Sequence, residues 1–260
     1  GTNHNCAPLF LWFLALGVLF IGLAHLLRVL PPKTGLVVFL VALGGVGVYG
    51  LFYPYQSLST FVALKLVSVC IGLIFMQWMK FTNPKWYPLA QKLGYAILFI
   101  NILEATFFDF LDTDYFNTLL GVALLISLKG PSALTINQDS KYRDCEYDIS
   151  FVWMLAYCFW NTSFVYNFEG GVALTFAFLH LGLPLIMSFF TPQLFFQNRV
   201  YYLTFTVVLI TMVPPEPLYF ESSIYIPWIA HALTVLGFAC IGMDILARRR
   251  QLQIEGFGKK

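Results

Sequence analysis

The feature that most constrains this chain is a succession of apolar runs, each about as long as a bilayer is thick. A helix needs about 20 apolar residues to span the hydrocarbon core. Only 11% of the residues are charged, against about 25% in a soluble domain. The sequence therefore predicts an all-α, polytopic transmembrane helix bundle that forms one domain, residues 1–260. Polar, Pro and Gly breaks delimit nine candidate spans: residues 8–30, 34–53, 58–80, 88–110, 115–134, 147–168, 171–191, 197–214 and 222–246.

The weakest of these runs is 115–134, because only about 14 apolar residues precede Lys129. It is predicted as a short span or a re-entrant segment, which gives nine spans or eight. The stretch "NQDSKYRDCEYD" (Asn137 to Asp148) is the longest hydrophilic segment. It is predicted to be a connecting loop.

The basic residues predict an orientation. With nine spans, every Lys and Arg except Lys65 falls on the side of the C-terminus, including Arg28 and Arg199 in or beside loops and the predicted basic cytoplasmic tail 247–260. The positive-inside rule then places the C-terminus in and the N-terminus out, in a plasma (inner) membrane. Because topology explains the basic residues, they do not indicate nucleic acid as a partner. The opposite side is predicted to hold Asp109, Asp112, Asp114, Glu169, Glu216 and Glu221.

Several polar residues inside the apolar runs fall at one depth. Lys65 and Glu104 lie on oppositely directed helices, each about eight residues or roughly 12 Å from the outer boundary. A charge at that depth costs on the order of 2.5–3.5 kcal/mol, so such groups pair or face a wet cavity. The sequence predicts an outward-facing polar site in which Lys65 pairs with Glu104 or with Asp109. Asn101, Tyr157, Asn161, His180 and His231 share the level, and Trp153, Trp160 and Phe164 form an aromatic wall.

The predicted site residues also have purely structural interpretations. A Lys–Glu pair between helices can simply fix their packing, and the long Lys65 side chain can extend towards the interface. Asn161 can be an interhelical hydrogen-bonding residue. His180 and His231 are each also typical of hydrogen-bonded residues within a bundle. Cys70, Cys158 and Cys240 are interpreted as apolar packing residues, without a disulfide or zinc pattern.

Three segments resemble an uncharacterised family of bacterial multi-pass membrane proteins, catalogued as a domain of unknown function. They are "ALKLVSVCIGLIFMQWMKF", "FINILEATFFDF" and "WMLAYCFWNTSFVYNF", and the similarity runs from about residue 58 to 215. The family brings no established activity, and it does not support His180 or His231. The resemblance implies that the family's pattern includes Lys65, Asn101, Glu104, Asp109, Trp153, Tyr157, Trp160, Asn161, Tyr166 and Asn167.

Four functions remain open at this point. A transporter-like or small-solute or ion-binding protein fits a buried ion pair with amides and aromatics around it. A membrane-embedded enzyme acting on a lipid or outer-face metabolite would use Glu104 or Asp109 as a base and Lys65 as an electrophile. A b-type haem on His180 and His231, or a retinal on Lys65, is a weaker alternative, and no cofactor is otherwise predicted. A non-catalytic subunit would bind a membrane-complex partner, and a homo-oligomer is equally open.

Overall fold

The chain forms a helix bundle, the class of fold that its apolar runs predict. A computed structural model describes residues 6–53, 60–169, 174, 176–212 and 225–257, and most of them are helical. A π-helical turn, Phe178–Gly182, precedes the short helix that begins at Leu183. The helices are α1 (Cys6–Val29), α2 (Pro32–Phe52), α3 (Thr60–Met79), α4 (Tyr87–Leu111), α5 (Tyr115–Ser127), α6 (Phe151–Glu169), α7 (Leu183–Met187), α8 (Phe195–Met212) and α9 (Pro227–Phe257).

Five stretches of the described residues are long and apolar enough to cross a membrane. They are Leu11–Val29, Pro32–Phe52, Val62–Met79, Pro84–Leu111 and Pro227–Gly256. Their outward faces carry exposed apolar side chains, such as Val41 and Ile71, which suits a surface that contacts lipid. These are the properties of a membrane protein. The count of nine spans and the orientation remain predictions.

Helix α6 has a different character because it lies at the centre of the bundle. Trp153, Met154 and Ala156 have no exposed surface, and Ser163 is equally buried. A helix surrounded by other helices does not face lipid, so it tolerates the Asn, Ser, Tyr and Trp residues that lower its hydropathy. This position explains why α6 is not among the five most apolar helices although its length is 19 residues.

Helix α5 is shorter than the predicted run 115–134. It begins where the Asp114 carboxylate accepts a hydrogen bond from the backbone N–H of Asn117, the usual N-cap arrangement. It ends at Ser127, because Leu128 is extended and Gly130 and Pro131 follow. Thirteen residues measure about 20 Å, less than the roughly 30 Å hydrocarbon core. The prediction of a helix through residue 134 is therefore wrong, whereas a short or re-entrant segment remains open.

The hydrophilic segment after α5 is more than a connecting loop, which corrects the prediction for Asn137 to Asp148. Strands β1 (Leu134–Ile136) and β2 (Cys145–Tyr147) pair antiparallel, with Leu134 opposite Tyr147. Both residues are buried. This β1–β2 hairpin packs into the end of the bundle that the orientation prediction places inside, and it adds a small sheet to a fold predicted as all-α.

The predicted basic tail is largely a continuation of α9, which extends 11 residues past the predicted end at residue 246. Arg248 pairs with Asp244 at 2.9 Å and donates to the carbonyl oxygen of Ser127 at 2.8 Å. The tail thus begins as a helix that is fixed to the end of α5. Several predictions fall at least partly outside the described residues: the positions of Glu216 and Glu221, the starts of the runs 58–80, 171–191 and 222–246, and the end of the run 197–214.

Candidate functional site

A cavity of about 250 Å³ lies among α3, α4, α6, α8 and the π-helical turn. Apolar side chains form most of its wall, and the β1–β2 hairpin contributes Leu134, Cys145 and Tyr147 at one end. Its polar lining comes from five helical segments, as expected for a site in which a few polar groups orient a ligand. These polar residues are Lys65, Ser68, Asn101, Tyr157, Asn161, His180, Gln197, Arg199, Thr204 and Thr206.

Arg199 is the residue that the sequence-based prediction misplaced. It was predicted at the inner end of the run 197–214, as a charge that sets the orientation, but it is only 5% exposed in the first turns of α8. Its Nε donates to the Tyr157 hydroxyl at 3.3 Å, and its Nη1 donates to the backbone oxygen of His180 at 2.6 Å. No carboxylate forms an ion pair with Arg199 among the residues that the structure describes.

The local sequence explains why His180 can receive Arg199. In an α-helix the carbonyl of residue 180 accepts from the N–H of residue 184, but Pro184 has no N–H. The His180 carbonyl is therefore left without its α-helical donor, and Arg199 Nη1 takes that place. The π-helical turn Phe178–Gly182 precedes this proline. Such turns are frequent at functional sites.

Lys65 and Glu104 approach each other as the depth argument predicts. Lys65 Nζ is 3.8 Å from Glu104 Oε2 and 3.3 Å from Asn101 Oδ1, so α3 and α4 are joined by polar contacts. The Asn101 amide also donates to the carbonyl of Ile97 at 2.8 Å, which holds its oxygen towards Lys65. Glu104 Oε1 is buried and has no hydrogen-bond partner among the described atoms.

Helix α6 contributes Tyr157, Asn161 and Phe164 to the cavity. The spacing of four places Tyr157 and Asn161 on one face. Asn161 is 7% exposed, and no hydrogen bond joins its side chain to another described residue. Its amide can therefore contact a molecule in the cavity. Trp153 and Trp160 are fully buried in the core and do not line the cavity.

The charge of the cavity wall is positive. Lys65 and Arg199 both line it, and the positive charges of both act on His180. Glu104 is the single carboxylate that pairs with either cation within the described ranges. A site with two cations and one carboxylate favours an anion, which would satisfy the Arg199 guanidinium.

Asp109 belongs to a different cluster, which corrects both predictions made for it. It neither pairs with Lys65 nor lies in a wet loop, since it is 2% exposed and accepts from Asn117 Nδ2 at 2.7 Å. The same Asn117 amide donates to the Trp160 carbonyl at 3.1 Å, and its oxygen accepts from Thr234 at 3.0 Å. Asn117 thus joins four helices, α4, α5, α6 and α9. We assign this cluster a structural role.

Tyr166, Asn167 and His231 also lie away from the cavity. Asn167 Nδ2 donates to Asp114 Oδ2 at 2.5 Å, and the Tyr166 hydroxyl accepts from the backbone of Ile226 at 2.7 Å. These contacts connect the end of α6 to the start of α5 and α9. His231 is exposed on α9, with its ring 6.3 Å from that of Phe116.

The two histidines proposed for haem therefore have unrelated surroundings. His180 Nδ1 is occupied by Arg199 at 2.8 Å, and His231 does not line the cavity. Within the described part of the chain, no group of three or more His, Cys, Asp or Glu residues could hold a metal ion. The haem remains an untested prediction, and nothing in this geometry adds support to it.

Asp144 organises the end of the bundle where the β1–β2 hairpin lies. It accepts two hydrogen bonds from the Arg28 guanidinium, both at 2.9 Å, and others from Gln197 at 2.7 Å and Ser140 at 2.9 Å. Burial alone would raise the pKa of this carboxyl, but these hydrogen bonds and the Arg28 charge outweigh burial and lower its pKa to about 2. Gln197 lines the cavity as well, so this cluster holds the hairpin against the cavity end.

The sequence did contain a signal for Arg199. The predicted run 197–214 already included it, and a charge inside an apolar run is a candidate for a site. No comparable signal existed for Asp144, which lies in a segment rich in charges.

No protein-family model matches the chain, and searches of curated proteins and of solved structures found no similar protein. The resemblance to the uncharacterised membrane family remains a prediction.

Proposed function

We propose that this membrane protein binds a small anionic solute in the cavity lined by Lys65 and Arg199, in a transporter-like or solute-binding role in the plasma (inner) membrane. The single observation that carries the proposal is the state of Arg199. Its side chain is buried, and it has hydrogen bonds to His180 and Tyr157 but no carboxylate partner within the described residues. A buried cation without a counter-charge costs several kcal/mol, and a bound anion removes that cost.

The remaining lining supports the same class of ligand. Lys65 supplies a second cation, and the amides of Asn101 and Asn161 can donate to or accept from polar atoms of the ligand. Burial of both cations in a largely apolar wall strengthens their attraction for an anion, because the local dielectric constant is low. A transporter-like role would follow if ligand binding shifts an equilibrium between two conformations.

Thermal unfolding of the purified protein in nanodiscs tests the proposal with three probes of similar shape: butyrate, butylammonium and butanol. A ligand that binds only the folded state raises its stability, by about 2.7 kcal/mol at one hundred times Kd. We expect butyrate, but neither of the other probes, to raise the unfolding temperature of the wild type.

Arg199→Met should abolish most of this stabilisation, with Kd for butyrate rising about tenfold or more, because a hydrogen bond to a charged group is lost. Lys92→Met is the matched control, since Lys92 is exposed on α4 and should leave the response unchanged. Equal stabilisation by the cation and the anion, or an unaltered response of Arg199→Met, contradicts the proposal.

A further inference from the structure

The wall between α3 and α4 contains residues that line the cavity and are only partly buried. We define this set as the α3–α4 seam: Lys65, Ser68, Gly72, Phe75, Gly94, Ile97, Leu98 and Asn101. Elsewhere the cavity wall is formed mainly by buried residues of α6 and α8, such as Tyr157, Arg199 and Thr204. The seam is therefore the part of the wall through which the cavity approaches the outside of the bundle.

The surface on both sides of the seam is apolar. On α3, Leu64, Val67 and Ile71 are at least half exposed, and on α4, Ile100 and Leu103 are similarly exposed. Both helices are long and apolar enough to cross a membrane. The seam thus faces the hydrocarbon region of a bilayer, and a molecule that reaches the cavity through it comes from the lipid phase.

Gly72 leaves space at the middle of the seam. A Cβ atom at Gly72 would lie 3.9 Å from Ile97, an ordinary contact, so close packing does not require a glycine there. Gly94 differs, because its Cβ would come within 2.4 Å of Leu134. The missing side chain at Gly72 therefore opens the seam, whereas the missing side chain at Gly94 makes room for the β1–β2 hairpin.

The shape and lining of the cavity fit a chain with a charged end. It follows α3 from Val62 to Met79, which is roughly 25 Å of helix at 1.5 Å per residue. The cavity, with a volume of about 250 Å³, is therefore elongated along α3. Lys65 and Arg199 are among its polar lining residues, and apolar residues such as Phe75, Met76 and Leu98 form other parts of its wall.

From these observations we propose that the ligand is a single-chain amphiphile with an anionic headgroup, which enters sideways from the bilayer through the α3–α4 seam. This inference rests on the proposed function, because Arg199 and Lys65 would hold the headgroup. The Lys65–Glu104 pair lies at one end of the seam, with side chains that are 15% and 18% exposed. An arriving anionic headgroup competes with Glu104 for Lys65, so the pair selects for negative charge at the entrance.

Two headgroups are candidates, a phosphate and a carboxylate, and both are anionic. The probes are therefore dodecyl phosphate, dodecanoate and the short, water-soluble butyl phosphate. We expect both long-chain probes to bind the wild type in nanodiscs at least tenfold more tightly than butyl phosphate, because additional methylene groups leave water. The tighter of the two long-chain probes identifies the preferred headgroup.

Gly72→Leu tests the route, with Gly45→Leu on α2 as the matched control. A Cβ at Gly45 meets nothing within 4 Å. Gly72→Leu should slow the association of dodecyl phosphate at least tenfold and that of butyl phosphate less, and Gly45→Leu should change neither. If chain length gives no gain in affinity, or if the two Leu variants behave alike, the seam is not the route.

The result with Arg199→Met separates the two proposals. If butyl phosphate binding needs Arg199 while Gly72→Leu has no effect, the anion site stands and the lateral route is overturned. If no probe depends on Arg199, both proposals fail.

A second measurement covers the case in which Gly72→Leu does not fold. Ser68→Cys, in a protein with Cys6, Cys70 and Cys240 replaced by Ala, should react with a membrane-restricted maleimide, and dodecyl phosphate should protect it. Absence of labelling at residue 68, or labelling that dodecyl phosphate does not reduce, overturns the lateral route.

Discussion

Arg199 donates to His180 twice from one guanidinium nitrogen, to the ring Nδ1 at 2.8 Å and to the backbone oxygen at 2.6 Å. An arginine side chain has no acceptor, so Nδ1 must accept, and the proton of the neutral imidazole resides on Nε2. The ring therefore fixes the guanidinium in position, and the cation of the cavity is oriented before any ligand arrives.

Replacing His180 should loosen this arrangement. His180→Phe removes the Nδ1 acceptor from a buried guanidinium, and we expect a loss of about 1–3 kcal/mol in the free energy of unfolding. His231→Phe is the control, because His231 is exposed on α9 and should change stability by less than about 0.5 kcal/mol. Chemical unfolding in detergent micelles measures both values, and equal effects would argue against the role given to His180.

The Lys65–Glu104 pair should behave as one unit. Lys65→Met leaves the buried Glu104 carboxylate without its cation, and Glu104→Gln leaves Lys65 without its anion, so each single change should lower the unfolding temperature. The double variant should lose less than the sum of the two, with a coupling free energy of about 1–2 kcal/mol. A double-mutant cycle measures this coupling. Strict additivity would mean that the 3.8 Å contact contributes nothing.

Asn117 should be the most sensitive residue of the structural cluster. Asn117→Leu removes hydrogen bonds to Asp109, Trp160 and Thr234 together, and the unpaired buried groups should cost about 2–3 kcal/mol of stability. The neighbouring Thr118→Val serves as the control, because the Thr118 hydroxyl bonds only to the backbone of Asp114 in its own helix segment. A cost for Asn117→Leu no larger than that of the control would contradict the assignment.

Asp144 should make stability depend on pH in the acid range. Its folded pKa of about 2 lies below the ordinary value of 3.8, so its contribution is complete above about pH 5 and is lost as the pH falls through 2. The pKa difference between the unfolded and folded states corresponds to about 2 kcal/mol in the free energy of unfolding. The wild type should therefore lose more stability than Asp144→Asn between pH 4 and pH 2, as measured by unfolding at fixed temperature. Parallel curves for the two proteins would contradict this linkage.

Depth along a helix could be predicted from the sequence, but direction around it could not. Counting residues from the ends of the apolar runs placed Lys65 near Glu104 because both helices are regular at 1.5 Å per residue. The same counting put Asp109 within reach of Lys65. The position of Asp109 around the axis of α4, however, directs its side chain towards Asn117. Which face of a helix meets which neighbour depends on how the described helices pack together, and single runs do not encode that.

Arg199 and Asp144 were misjudged for another reason. A basic residue near the end of a run obeys the positive-inside rule whether its side chain points to water or into the bundle. Strands of three residues are too short to give an alternating pattern, so the β1–β2 hairpin resembled a solvated loop. Asp144 can be buried because Arg28, a cation on α1, pairs with it. A pair of residues so far apart in the chain produces no pattern in the local sequence around either one.

The contacts of Asp144 also set an order of events during synthesis. Arg28 is synthesised 116 residues before its partner Asp144, and Gln197 follows Asp144 by another 53 residues. Ribosomes add about 5–20 residues per second, so α1 is in place many seconds before α8 emerges. Until then the hairpin has no α8 to rest on and the cavity lacks one wall. Of the two cations that line the cavity, Arg199 is synthesised after Lys65, and it is buried only when α8 joins the rest of the bundle.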